Sequence, residues 1–274
     1  MDSGIVRRRI ANIIRKEWET TLYNVNSGLF ITLVPLLITG QALLYIYLII
    51  RYAGTDALMS SVLRLGVEKL ELLIPALPGL SPVEKLQLLF YLQYPIYLLL
   101  VPMMIANSFA TFSVVEEKQT RTLEPLLATP VRTWELLLGK SLAGAIPAVI
   151  MSWICAALFL LGVKWIGPPH LFKYVLSSSW LISLVLLVPL ITVLSFMLGV
   201  VASSRAGDPK SAQNMAIIIV LPVLALIAVQ LIGLAVFTPM TLLVLATAIA
   251  ALDVLILWIA VRLFQRESIV VTWR

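Results

Sequence analysis

The chain has 274 residues, of which 61% are hydrophobic and only 12% charged, with a mean hydropathy of +1.01 and a formal net charge of +6. Soluble domains carry roughly 25% charged residues, so a soluble globular fold, a nucleic-acid-binding domain and a disordered chain are excluded. An all-α, polytopic membrane protein remains, in which the placement of charge matters more than its sum.

The first predicted element is a helix over Ile5–Leu22. Val6, Ile10, Ile13, Ile14, Trp18 and Leu22 recur at helical spacing, while Arg8, Arg9, Arg15 and Lys16 take other faces. That is the pattern of an amphipathic helix in the headgroup layer, with Trp18 at the interface and the basic residues toward anionic lipid. Uncharged apolar stretches follow, and about 20 such residues cross a bilayer as a helix. They place spans at 28–50, 87–114, 141–163 and 177–202. The uncharged run from Ser211 to Leu252 is twice the length of one crossing, so it folds back near Gly233 and Phe237-Thr238-Pro239, giving spans at 214–236 and 240–263. The organisation is therefore a cytoplasmic interfacial helix over 1–27, a six-helix transmembrane domain over 28–263 and a cytoplasmic tail over 264–274. The outer segment 51–86 carries Leu58, Val62, Leu65, Leu72 and Leu73, a short amphipathic helix that ends before Pro75.

Orientation follows the basic residues. With the N-terminus inside, Arg7, Arg8, Arg9, Arg15, Lys16, Lys118, Arg121, Arg132, Lys140, Arg205, Lys210, Arg262, Arg266 and Arg274 are cytoplasmic. Only Arg51, Arg64, Lys69, Lys85, Lys164 and Lys173 face out. Both termini are then cytoplasmic. The long first run, with no small-residue cleavage site, reads as a retained anchor. A multi-pass protein of a plasma membrane is expected, with a prokaryotic host.

Catalytic chemistry is sparse. The single histidine, His170, follows Pro168-Pro169 in a short outer loop and reads as a solvated loop residue; no HExxH motif is possible. Cys155 lies in an apolar run, where an inert buried thiol is expected. Gly139-Lys140-Ser141 ends like a phosphate-binding loop, but Trp134 stands where the first glycine is required. Within the spans the polar residues are Gln41, Gln93, Asn107, Gln230 and Asp253. Gln41, Gln93 and Asn107 read as interhelical glue or as the lining of a substrate route. A mid-bilayer carboxylate costs about 2.5–3.5 kcal/mol on insertion scales, so Asp253 either binds a cation or proton or hydrogen-bonds a neighbouring helix.

The informative segment is the inside loop 115–140. A charged helical turn leaves the membrane, Pro125 bends or stops it, and Thr129 caps a new helix opened by Pro130, which carries Trp134, Leu136, Leu137 and Leu138 back toward lipid. Such a charged helix–turn–helix suits docking of a cytoplasmic partner. Glu116-Glu117-Lys118, Thr122-Leu123-Glu124, Leu126-Leu127, Thr129-Pro130-Val131, Glu135 and Gly139-Lys140 resemble the signature of the ABC transporter type-2 permease family. Arg121 departs from it, standing where glycine is usual.

The resemblance implies a translocation subunit, not itself an enzyme, that pairs with a second permease chain as a homo- or heterodimer. Each half docks a separate cytoplasmic ATP-binding subunit. No cofactor is expected on this chain; ATP and Mg would be held by the partner. Glu116, Glu117, Lys118, Thr122, Leu123 and Glu124 would form the coupling element, braced by the N-terminal helix. Export is implied by the family alone, whose cargoes include drugs, lipids, polysaccharides and sodium ions; the apolar spans mildly favour a hydrophobic or amphipathic one. The rival reading is a gradient-driven secondary transporter using Asp253.

Overall fold

The computed structural model describes residues 3–22, 25–53, 61–74, 79–119, 133–205, 220–231 and 238–263. Among these residues every regular element is helical and there is no strand. The order is α1 (Ser3–Leu22), α2 (Val25–Leu48, continued by a π turn over Ile49–Ala53), α3 (Ser61–Leu73), α4 (Pro82–Leu98), α5 (Leu100–Gln119) and α6 (Thr133–Ile166). After these come α7 (Phe172–Val175), α8 (Ser178–Ile182), a π turn over Ser183–Leu187, α9 (Val188–Arg205), α10 (Val220–Leu231) and α11 (Pro239–Leu263).

Among the described residues, five helical stretches are long and apolar enough to cross a membrane: Ile31–Tyr52, Pro82–Ala110, Trp134–Ile166, Ser178–Ser203 and Pro239–Arg262. The expected span over 214–236 is described only in its middle, where α10 is apolar from Leu221 to Gln230. The rest of that span, the tail 264–274 and loop positions 120–132, with Pro125, Thr129 and Pro130, lie outside the described residues.

Prolines and caps explain where the helices break. Pro102 lacks the N–H that would bond Leu98, and the helix interrupts at Leu99 between α4 and α5. The π turn over Ser183–Leu187 sits just before Pro189, which likewise withholds a donor. α4 begins at Pro82, earlier than hydropathy suggests. Ser81 caps it: its hydroxyl accepts from the Glu84 amide at 3.3 Å, and Glu84 accepts from the Ser81 amide at 2.8 Å. α3 ends at Leu73, just ahead of Pro75.

α4 and α5 lie at the centre of the bundle. α5 packs most extensively on α9, and α6 packs on α1, α2 and α5. The α5–α9 approach is close because position 199 is glycine; a Cβ there would lie 2.8 Å from both Ala110 Cβ and Asn107 Oδ1. A cluster of rings ties α4, α6 and α8 together. Tyr94 stacks on Phe159 at 3.5 Å, and Trp180 stacks on both at 6.2 and 6.3 Å. The Tyr94 hydroxyl lies 3.1 Å from the Thr39 hydroxyl of α2. Cys155 is fully buried in this core. Some hydroxyls inside the spans are satisfied by their own helices: Ser152 donates to Ala148 O at 2.7 Å, and Ser183 to Ser179 O at 2.9 Å.

Candidate functional site

Three of the four buried ionisable side chains among the described residues, Glu17, Glu135 and Lys140, gather where α1 crosses the start of α6 and the end of α5; the fourth is Asp253 on α11. α1 can approach because α6 carries glycine at 139: a Cβ there would lie 2.9 Å from Ile13 Cγ2. Farther along, the Trp18 indole donates to Ala143 O at 2.8 Å. Between these contacts the Lys140 ammonium lies 3.2 Å from Glu17 Oε1, with their side chains only 3% and 5% exposed. Lys140 also donates to the Ser113 hydroxyl of α5 at 2.5 Å. Lys16 approaches Glu17 at 3.9 Å, and Arg9 reaches buried Glu135 at 3.4 Å.

The chemistry of this junction is mechanical. A buried ion pair with a further hydrogen bond holds its partners in one geometry, because separating them strands a charge away from water. α1, α5 and α6 are thus joined one turn before Glu116, Glu117 and Lys118, which the α5 backbone carries before it ends at Gln119. Thr122, Leu123 and Glu124 lie outside the described residues.

Two contacts tie the N-terminal helix to α6. Trp18 and Arg9, read as lipid-facing, are committed to α6 through Ala143 O and Glu135. Arg8, Arg15 and Lys16 remain exposed, Arg15 being bonded to Glu19 at 2.9 Å. Glu17, Ser113, Glu135 and Lys140 were not singled out as a site by sequence. A signal existed: Glu17 falls on the stripe that continues Ile10, Ile13 and Ile14, an acidic residue where an apolar one is expected. The pairing itself joins positions over 120 residues apart.

The amides of the spans divide. Gln93 donates to Ile227 O at 3.2 Å and Gln230 donates to Leu92 O at 3.3 Å, reciprocal bonds that pin α10 to α4. Gln41, expected between helices, instead faces outward and bonds Tyr45 on its own helix at 3.0 Å. Asn107 faces the α9 backbone at Gly199, its Oδ1 without a partner among the described residues. Asp253 is buried on the α11 stripe of Leu242, Ala246, Ile249 and Ala260, and neither carboxylate oxygen has a partner among the described residues. His170 is not simply solvated: half-exposed, its Nε2 lies 2.9 Å from Glu84 Oε1 and ties the loop after α6 to the start of α4. Among the described residues no three His, Cys, Asp or Glu side chains converge as metal ligands.

Comparison with known proteins agrees with a transport architecture. The family model described as ABC-2 family transporter protein matches residues 11–264. No curated protein matches the chain.

Proposed function

The chain belongs to the ABC-2 family of transporter proteins, and from that premise we propose that it is the permease subunit of an ATP-binding-cassette exporter driven by a separate ATPase. In this reading the chain pairs with a second permease, both termini are cytoplasmic, and α1 lies along the inner headgroup layer. ATP and Mg sit on the partner ATPase. Glu116, Glu117, Lys118, Thr122, Leu123 and Glu124 dock that subunit.

The observation that carries the reading is the buried Glu17–Lys140–Ser113 junction. A force applied just beyond Ser113 meets no loose joint there. Movement of the docking segment passes into α6, a 34-residue helix of about 50 Å that crosses the membrane, and into α1, which braces it. Closure of the two ATPase chains would then be converted into rearrangement of the spans.

The test is purification of the tagged chain from its native membranes. A stoichiometric ATP-binding subunit should accompany it and be lost when Glu117→Lys and Glu124→Lys are combined, with membrane insertion unchanged. A dimer that purifies without any ATPase at every salt concentration would sink the reading. The Asp253 carboxylate, without a partner among the described residues, would then favour a gradient-driven carrier, tested with Asp253→Asn.

A further inference from the structure

α6 runs as one helix from Thr133 to Ile166 with Pro147 inside it. Proline has no N–H, so the carbonyl of Ala143, one turn earlier, loses its partner within the helix, and a span interior offers no water in exchange. The Trp18 indole fills that place, donating to Ala143 O at 2.8 Å from α1. Long helices bend at prolines of this kind, and a donor held on the freed carbonyl limits the bend.

Pro147 also separates two differently anchored parts of α6. The contacts with α1 at Glu135, Gly139, Lys140 and Ala143 all precede it. Beyond it, Phe159 stacks on Tyr94 and Trp180, and the Trp153 indole donates to Leu184 O at 3.1 Å. Leu184 O is a second carbonyl freed by proline, because the Val188 N–H bonds Ser183 O and Pro189 has none to give. The part of α6 nearest the docking segment is thus held by α1, and the rest by α4, α8 and the π turn before α9. Between them, at Gly144, α6 bears closely on α5 and α9. A Cβ there would lie 3.0 Å from Phe109 Cβ and from Phe196 Cδ2, so the bare glycine leaves no side chain to obstruct turning.

We propose that Pro147 is the flexing point of α6, about which residues 133–146 turn as a lever, and that Trp18 is the positioning residue that sets the angle by holding Ala143 O. Movement of α1 shifts the donor on that carbonyl, and the lever follows. The inference rests on the proposed function in taking the docking segment after α5 as the source of that movement.

The test places spin labels at Asn12→Cys on α1 and Trp165→Cys at the far end of α6, both exposed positions, with the native Cys155 fully buried. The distance between them is measured by pulsed electron resonance on the intact permease complex in nanodiscs. Pro147→Ala returns an N–H to Ala143 O and makes the Trp18 donor dispensable. Trp18→Phe, which keeps an aromatic ring, should therefore broaden the distance distribution and lower the melting midpoint in the parent, and change neither in the Pro147→Ala background. Equal broadening in both backgrounds would reduce Trp18 to packing, and no broadening in the parent would remove it from the hinge; either result overturns the proposal. With the ATPase bound, a non-hydrolysable ATP analogue should shift the distance in the parent and lose most of that shift in Pro147→Ala. A full shift in that variant, or none in the parent, would place the flexing point elsewhere. The double-mutant comparison needs neither nucleotide nor ATPase. It therefore decides the proposal even if the coupling reading fails, and its own failure leaves ATPase copurification untouched.

Discussion

Lys140 and Glu17 occupy a position from which water is almost excluded, and among their partners are each other at 3.2 Å, Ser113 on Lys140 and Lys16 at 3.9 Å from Glu17. Removing Lys140 leaves Glu17 buried with Lys16 at 3.9 Å, and breaking a buried pair typically costs about 3–5 kcal/mol, whereas replacing both partners with apolar residues of similar volume is close to neutral. Lys140→Met is therefore expected to lower the thermal midpoint of the purified protein sharply, and Glu17→Met with Lys140→Met to recover most of the loss. A single variant as stable as the parent would show that the pair is not a structural latch. Exposed pairs of the same chemistry behave differently. Arg64–Glu68, one turn apart on α3 and solvated, contributes only a few tenths of a kcal/mol.

At the level of elements, the seat of α1 on α6 depends on a missing side chain. Ile13 fills the space that a Cβ at position 139 would need. Because Ile13 is β-branched it has little rotamer freedom to yield, so Gly139→Val should lift α1 from α6. The expected result is a lower melting midpoint and loss of bound ATPase, with Ile13→Ala combined with Gly139→Ala recovering both. Normal stability and normal ATPase retention in Gly139→Val would place the seat of α1 elsewhere. α6, expected as a helix opened by Pro130 with its crossing at 141–163, is formed ahead of its apolar run. The apolar run begins at Ser141, yet the helix is already formed at Thr133, because Glu135 and Lys140 are neutralised by Arg9 and Glu17 rather than by water.

For the whole molecule, the expected topology has an outside check that leaves the core alone. Glu19 is exposed on α1 and Gly79 is exposed between α3 and α4, while the native Cys155 is fully buried and silent to reagents. A membrane-impermeant maleimide should label Gly79→Cys in intact cells and Glu19→Cys only after permeabilisation. The reverse pattern would invert the chain in the membrane. The outward faces of α2 and α11 carry Leu33, Leu37, Val244 and Leu255 exposed on the single chain, as expected of surfaces meant for hydrocarbon.

Composition and hydropathy alone determined the helical membrane class and the approximate position of five crossings, because the requirement for about 20 uncharged residues is local and leaves a continuous mark in the chain. The 115–140 motif likewise pointed to the family that the comparison over residues 11–264 establishes. Other features are decided by contacts between residues far apart in sequence, which no local pattern records. Lys140 could be read as one more basic residue at a membrane edge until α1 brought Glu17 against it. Gln41 and Gln93 look alike in the sequence, yet one faces outward and the other bonds α10, because helix rotation is set by packing against neighbours. The tertiary structure alone joins Gln93 to Ile227 and Gln230 to Leu92, since residues more than 130 apart in the chain meet only when α10 folds against α4.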